Sequence, residues 1–372
     1  MKKMAFVDLT NFKDWPMGGM LQYELKILPA LCQMYDVDLW GVSVDNKKNK
    51  SLEINGKQYP IYTWANAKTD KRLIPNYLKG LQLFNYRKEF KKYDIIYAHT
   101  ATCLLPFYSF EKKGVKIVYH QHGLMYLEDK SLKTTIQKPF MKKAQEASDL
   151  TFVVSGPKSV QAYSKKLNSH GKLIAVNSPI DFSVENKDLV ENKIKKEKPS
   201  NFIYTGRLTK FKNVASLIPI FRNYLNRIDP NAKLTIVGDG EEKKYIQDLI
   251  DKYNLNKSII LTGKLPHSEI KKKLIENDIF LMPSKGEGVS VSVAEANSLG
   301  LPVICYDVPG LNEQILSGIN GYIAKENKND FYGKILKTTI NWKELVLSSF
   351  EYSKKFAISK VTNVIIENIE EL

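Results

Sequence analysis

A length of 372 residues predicts two domains at about 150 residues each, and a hydrophobic share of 43% supplies buried cores for both. Three scattered cysteines, Cys32, Cys103 and Cys305, exclude a disulfide framework and suit a reducing compartment. The net charge of +16 is concentrated in the first 186 residues, where 28 Lys+Arg meet 17 Asp+Glu. It suits an anionic membrane surface or a phosphorylated substrate, although a lysine-rich surface kept only for solubility explains it as simply. No helix-turn-helix, zinc-finger or aromatic RNA-binding signature accompanies the charge, so nucleic acid is not an expected partner.

The N-terminus, MKKMAFVDLTNF, reaches Asp8 and Asn11 before a signal-type apolar segment is complete. No run of about 18 apolar residues follows anywhere. The expectation is a soluble, cytoplasmic chain. Met4 to Leu9 reads as the first buried strand of a parallel sheet. It leads through Gly18-Gly19 into apolar positions of helical spacing, Met20, Leu21, Tyr23, Leu25, Ile27, Leu28 and Leu31. A strand, a glycine turn and a helix bring backbone close to a phosphate, although tight turns use glycine routinely.

Asp36 to Val44 and Tyr59 to Tyr62 read as strands with a polar hairpin-like piece between them. Lys68 to Lys92 interleaves Leu73, Ile74, Tyr77, Leu78, Leu81, Leu83, Phe84, Tyr86 and Phe90 with lysines and arginines at helical spacing. This is an ordinary core-facing amphipathic helix or, on the sharper reading, an interfacial helix lying on anionic lipid. Two buried strands follow, Asp94 to His99 and Val115 to His120. Three of the five histidines, His99, His120 and His122, thus fall at or just past strand C-termini, the edge where open α/β sheets bind ligands. A histidine–carboxylate metal centre is the rival reading, but no ligand set with metal-type spacing is present and no metal is expected.

A helix over Lys133–Ser148, a strand over Leu150–Val154 and a last strand over Leu173–Val176 complete a first domain, 1–182. Residues 183–200, SVENKDLVENKIKKEKPS, are charged and aperiodic and read as a linker. A second α/β unit, 201–354, opens with strand Phe202–Tyr204. At its strand-to-helix turn Gly206, Arg207 and Lys212 form a candidate diphosphate clamp, a solvated basic turn being the plainer alternative. Strands with glycine turns recur at Lys233–Gly240 and Ser258–Leu265, and His267 to Glu276 is a short helix. The tail from 341 is helical.

The most informative stretch is Phe280 to Gly310, FLMPSKGEGVSVSVAEANSLGLPVICYDVPG: strand, glycine-bearing loop, helix from about Ser290, and a second strand. An anion over that helix start would meet free N–H groups and the helix dipole. Glu287 and Glu295 flank the turn; each carboxylate is a good acceptor for vicinal hydroxyls, or a solvated acid near a helix start. The frame Pro283, Ser284, Glu287, Gly288, Glu295, Ala296, Gly300, Pro302, Val303 resembles the retaining glycosyltransferases of family 4. The resemblance covers most of the chain and is most specific over 201–310.

That resemblance implies the GT-B fold, an α/β architecture of two Rossmann-like domains facing across a cleft, with a C-terminal helix, about 355–372, crossing back to the first domain. It implies metal-independent, hexosyltransferase-type transfer, with retention, from a nucleotide sugar, by family habit a UDP-sugar, to a hydroxyl of a glycan or polyprenyl-linked acceptor. Bacterial surface polysaccharide or capsule synthesis at the inner face of the plasma membrane is the setting it implies. It assigns Arg207 and Lys212 to the diphosphate, Glu295 to ribose, Glu287 to the donor sugar and His122 to positioning that sugar. Gly18, Gly19, Gly206, Gly238, Lys264, Leu265, Gly288, Val289 and Ser290 are carried over as nucleotide-sugar contacts, and His99 and His120 as weaker sugar or acceptor candidates. The Val289-Ser290 pair departs from the family's usual aromatic and small residue, which bears on donor-sugar identity. Rival readings are a GT-B epimerase or phosphorylase and a non-catalytic sugar-nucleotide binder.

Overall fold

A computed structural model describes residues 1–13, 19–43, 50–66, 76–109, 114–124, 132–167, 172–181 and 186–372. The chain divides into two compact units, Met1–Pro179 with Ile358–Leu372, and Ile180–Ala357.

The first unit is built on strands β1 (Lys3–Val7), β2 (Asp36–Ser43), β3 (Lys50–Ile54), β4 (Lys57–Asn66), β5 (Ile95–Ala98), β6 (Lys116–Gln121), β7 (Leu150–Val154) and β8 (Lys172–Val176). Their order in the sheet is β3-β4-β2-β1-β5-β6-β7-β8, parallel except for β3. The central strands are apolar because helices cover both faces, which leaves β5 and β7 buried along their whole length. Because β1 has β2 on one side and β5 on the other, the chain reverses direction of winding between β1 and β5. The loops after those two strands therefore flank a topological switch point, where doubly wound sheets bind ligands.

The second unit carries β9 (Asn201–Thr205), β10 (Lys233–Val237), β11 (Ile259–Gly263), β12 (Ile279–Met282), β13 (Val303–Tyr306) and β14 (Gly321–Ala324) in the order β11-β10-β9-β12-β13-β14. All neighbours are parallel, and the switch point lies between β9 and β12. Helix Val291–Ser298 follows β12 and packs on helix Trp342–Ser353. Helix Ile358–Glu370 belongs to the first unit, where Glu370 accepts from Lys2 at 3.0 Å and from the Tyr35 hydroxyl at 2.7 Å.

Two sequence readings differ from the structure. Over the described part of Lys68–Lys92 the chain forms 3-10 turns, Asn76–Tyr86 and Glu89–Lys92, instead of an α-helix. Leu83 and Phe90 sink into the core while Phe84 stays exposed, so the apolar residues serve two turns with different faces rather than one stripe. The stretch read as a linker is helical at Asn186–Lys193 and belongs to the second unit, where Val190 is buried in the core and the Lys193 ammonium caps the Ile275 carbonyl at 3.1 Å. The hairpin-like piece before Tyr59 does hold a hairpin, in which strand β3 pairs with β4 through a turn where Asn55 and Gly56 both take positive φ, 51° and 75°. Asn-Gly is the pair that such a hairpin turn requires. Gly18 and residues 67–75 of the basic segment lie outside the described residues.

Candidate active site

In the second unit the loops after β9 and β12 converge at the switch point. Gly206, the first residue after β9, hydrogen-bonds Val237 by its N–H at 3.0 Å. A Cβ on Gly238 would sit 1.8 Å from the Gly206 carbonyl oxygen, so the β9 and β10 turns pack backbone against backbone. From this platform Arg207 projects into solvent, and among the described residues its guanidinium has no hydrogen-bond or ion-pair partner. Five residues on, Lys212 donates its ammonium to the Glu287 carboxylate. Ser284, the second residue after β12, donates its hydroxyl to the same oxygen at 2.9 Å. Two further contacts hold the loops together, Lys285 N–H to the Phe211 carbonyl at 3.0 Å and the Asn213 side-chain amide to the Pro283 carbonyl at 3.2 Å.

The β12 loop is fixed from its other side as well. Gly310 has φ 84°, and a Cβ there would lie 2.0 Å from the Glu287 carbonyl oxygen. Gln314, buried, accepts from the Ser290 N–H at 2.9 Å and donates to the Ser290 carbonyl at 2.8 Å, clasping the residue that caps helix Val291–Ser298. Ser284 belongs to the sequence frame that singled out Glu287, whereas no local pattern marks Gln314, which is found only by its fold contact. Gly288 and Val289 are half-buried in the same loop.

Glu295, one and a half turns into the helix, takes a different partner. Its carboxylate meets His267 Nε2 at 2.9 Å and lines a cavity of about 190 Å³ with Asp181, Asn186, Lys271 and Leu274. Lys264 is exposed and Leu265 half-buried against the core at the turn that precedes His267. Glu287 and Glu295 thus have separate partners and separate surroundings. His267 is the residue the sequence reading passed over here, its only signal being its place at a helix start after a glycine turn.

In the first unit the histidines do assemble. His99, directly after β5, stacks on His120 with ring centroids 4.8 Å apart and on His122 at 5.0 Å. His99 Nδ1 and His122 Nε2 lie 2.7 Å apart, hydrogen-bonded through one shared proton position. His99 and His122 line a cavity of about 260 Å³ with Thr100, Gln121, Gly123 and Met141. His120 does not. It is fully buried with Nδ1 on the Tyr97 hydroxyl at 2.6 Å, which makes it a core residue beneath the cavity rather than a pocket wall. Gly19 begins helix Gly19–Met34 with open space where a side chain would go.

Two buried carboxyls that the sequence reading left out stand beside the histidines. Asp8, just past β1, accepts from the Thr100 hydroxyl at 2.7 Å across the switch point. Glu24 occupies the apolar face of helix Gly19–Met34 between Leu21 and Ile27, and its Oε1 lies 3.6 Å from His99 Nδ1. The one signal for Glu24 is an acid at the spacing of a buried stripe. Burial pushes the Asp8 carboxyl up to about 6 and holds the Glu24 carboxyl well above its ordinary value, with Asp8 adding repulsion to Glu24. Burial drives His99 and His120 well below their ordinary value and His122 to about 3. All three imidazoles are neutral at pH 7.

Residues 185–355, nearly the whole second unit, match the family described as glycosyl transferases group 1. The second unit is a glycosyl transferases group 1 domain. An uncharacterised glycosyltransferase of Methanocaldococcus jannaschii is 26% identical, spanning 96% of this chain and 99% of its own. A UDP-Gal:alpha-D-GlcNAc-diphosphoundecaprenol alpha-1,3-galactosyltransferase of Escherichia coli is 26% identical over 72% of this chain and 71% of its own. HepE of Anabaena, solved in complex with UDP, superposes over the full length of both chains with a TM-score of 0.73 at 17% identity. The fold is GT-B, with the glycosyltransferase domain supplying Arg207, Lys212, Glu287 and Glu295.

Proposed function

We propose that the chain transfers a sugar, with retention, from a UDP-sugar to a hydroxyl of a glycan or polyprenyl-linked acceptor in surface polysaccharide synthesis. The observation that carries this reading is the meeting of Lys212, Ser284 and Glu287 at the β9–β12 switch point, with Arg207 exposed on the turn after β9, in a stretch that matches glycosyl transferases group 1. A free guanidinium and a lysine beside backbone N–H groups at a helix start suit a diphosphate whose charge grows as the glycosidic bond breaks. In this reading Arg207 and Lys212 stabilise the leaving group, so the donor diphosphate calls for no metal. Glu287 then exchanges part of its bond with Lys212 for the donor-sugar hydroxyls. Glu295, in its own cavity with His267, takes the ribose diol. The turns at Gly206, Gly238, Lys264–Leu265 and Gly288–Val289–Ser290 present backbone to the nucleotide. His122 positions the sugar through Nδ1, since Nε2 faces His99.

Support for the donor class comes from the E. coli relative, which is named for UDP-Gal, and from HepE, which was solved with UDP. The same E. coli relative is named for a diphosphoundecaprenol acceptor, which suits a basic N-terminal unit working at an anionic membrane face from the cytoplasm. Among the described residues no helix is long and apolar enough to cross a membrane.

The test is thermal stabilisation against nucleoside diphosphates and nucleotide sugars, followed by product analysis with a polyprenyl-diphosphate sugar acceptor. A ligand at about 100 times its dissociation constant adds about 2.7 kcal/mol. Stabilisation by UDP that Arg207→Ala abolishes, together with acceptor-dependent release of UDP, is the expected result. Absence of any shift with every nucleoside diphosphate would overturn the reading.

A further inference from the structure

The acid buried in the first unit has no basic partner among the described residues, and the side chain it hydrogen-bonds is a second buried acid, Asp8. Both carboxylate oxygens of Glu24 are shielded from solvent and accept no hydrogen bond from a basic or neutral donor among the described residues. No lysine or arginine pairs with Glu24 or Asp8 among the described residues. Charge left this way is costly unless it is neutralised or coordinates a cation. The imidazole pair does not solve it. One shared proton between His99 Nδ1 and His122 Nε2 satisfies those two atoms and offers Glu24 nothing.

We propose that Glu24, His99 and His122 form a binding site for a divalent transition-metal cation of the zinc class. One ligand atom from each residue falls within 4.8 Å of the others. His99 Nδ1 is 2.7 Å from His122 Nε2 and 3.6 Å from Glu24 Oε1. Ligand bonds of about 2.0–2.2 Å around one tetrahedral ion place donors roughly 3–3.5 Å apart, so small side-chain adjustments suffice to admit it. Two imidazoles and one carboxylate are a borderline donor set suited to zinc and its neighbours, and three protein ligands leave a coordination position free. Neutral imidazole is the ligating form. His99 and His122 also line the first unit's cavity, so the ion would sit at the wall of that pocket. The site lies in the first unit and is separate from the Arg207 and Lys212 group that faces the diphosphate.

The sequence hides this site because its three ligands come from a helix face, the end of β5 and the turn after β6. The site's test reads metal occupancy alone and is therefore independent of donor and acceptor chemistry. The untagged full chain is stripped with chelator, titrated with Zn²⁺, and its metal content counted after gel filtration; Co²⁺ reports geometry by its visible spectrum. One equivalent per chain, with a tetrahedral Co²⁺ spectrum, is expected. Glu24→Gln and His122→Asn should each weaken Zn²⁺ binding by about 100-fold or more, at least the loss that follows removal of a second-shell partner. His267→Gln, in the other unit, should retain it. Apo-state melting and circular dichroism verify folding of each variant, and half-buried His122 serves if the Glu24 variant does not fold. A wild-type chain that holds no stoichiometric metal, or folded Glu24→Gln and His122→Asn chains that bind Zn²⁺ as tightly as wild type, would overturn the proposal. In either case a proton held by the Glu24–Asp8 pair balances the charge instead.

Discussion

The Lys212 ammonium donates to the Glu287 carboxylate across 75 residues of sequence, and the Ser284 hydroxyl donates to the same Oε1 atom. The pair is mostly shielded, with side chains 18% and 12% exposed, so each charge depends on the other. Lys212→Met should strand Glu287 and lower stability by about 3 kcal/mol, the low end for breaking a buried pair. Lys212→Met with Glu287→Gln should recover most of that loss while turnover stays low. Urea denaturation and initial rates on wild type, Glu287→Gln and these two variants separate the structural role of the pair from its chemical one.

Arg207 behaves differently because nothing in the fold leans on it. Its guanidinium is exposed and unpartnered among the described residues. Arg207→Ala should leave the unfolding midpoint unchanged and lower kcat by about 100-fold, the scale of losing one charge-stabilising donor. Arg207→Lys should restore only part of it, since a single ammonium cannot reproduce the fork. A normal kcat in Arg207→Ala would remove this residue from the leaving-group site.

Gly310 fixes the backbone beneath Glu287. At φ 84° an alanine is strained, and its Cβ would overlap the Glu287 carbonyl oxygen. Gly310→Ala should cost at least about 1–2 kcal/mol from backbone conformation alone. It should also reduce kcat/KM, because the loop must shift to relieve the clash. Measuring both quantities checks the coupling; a stable variant with unchanged kcat/KM would show that the loop tolerates displacement.

The parallel strands were legible because burial on both faces writes them as unbroken apolar runs, as in IIYA at β5 and IFLM at β12. The glycine turns and the residues at strand ends were legible for a related reason: the sheet edge dictates where they fall. What escaped depends on contacts distant in sequence. Gln314 clasps Ser290 from 24 residues away, and nothing local marks it. Glu24 was hidden by its neighbours, since an acid among Leu21, Tyr23 and Ile27 resembles a helix residue on the solvent side until the fold buries it. The basic segment before β5 misled because helical spacing does not distinguish one α-helix from consecutive 3-10 turns.

The histidine stack makes the first unit acid-sensitive. His120 is enclosed by Tyr97, Tyr23, Phe152, His99 and His122, and burial holds it neutral well below its ordinary value near 6.5. The unfolded chain takes up that proton below about pH 6.5 and the fold does not. Each such imidazole therefore withdraws stability on acidification, at up to about 1.4 kcal/mol per pH unit. Asp8 and Glu24 act in the opposite sense. Their raised values mean that the fold keeps a proton the unfolded chain has released, so their contribution declines as pH rises, for Asp8 between about 4 and 6. Three histidines outweigh two carboxyls between about pH 6.5 and 5, and stability should fall toward acid. His120→Asn should flatten that fall, whereas Glu24→Gln should steepen it and raise stability above neutrality. Urea midpoints across this range, taken with chelator present, decide the matter: equal slopes for wild type and His120→Asn would mean that the imidazole titrates in the fold as it does in the open chain.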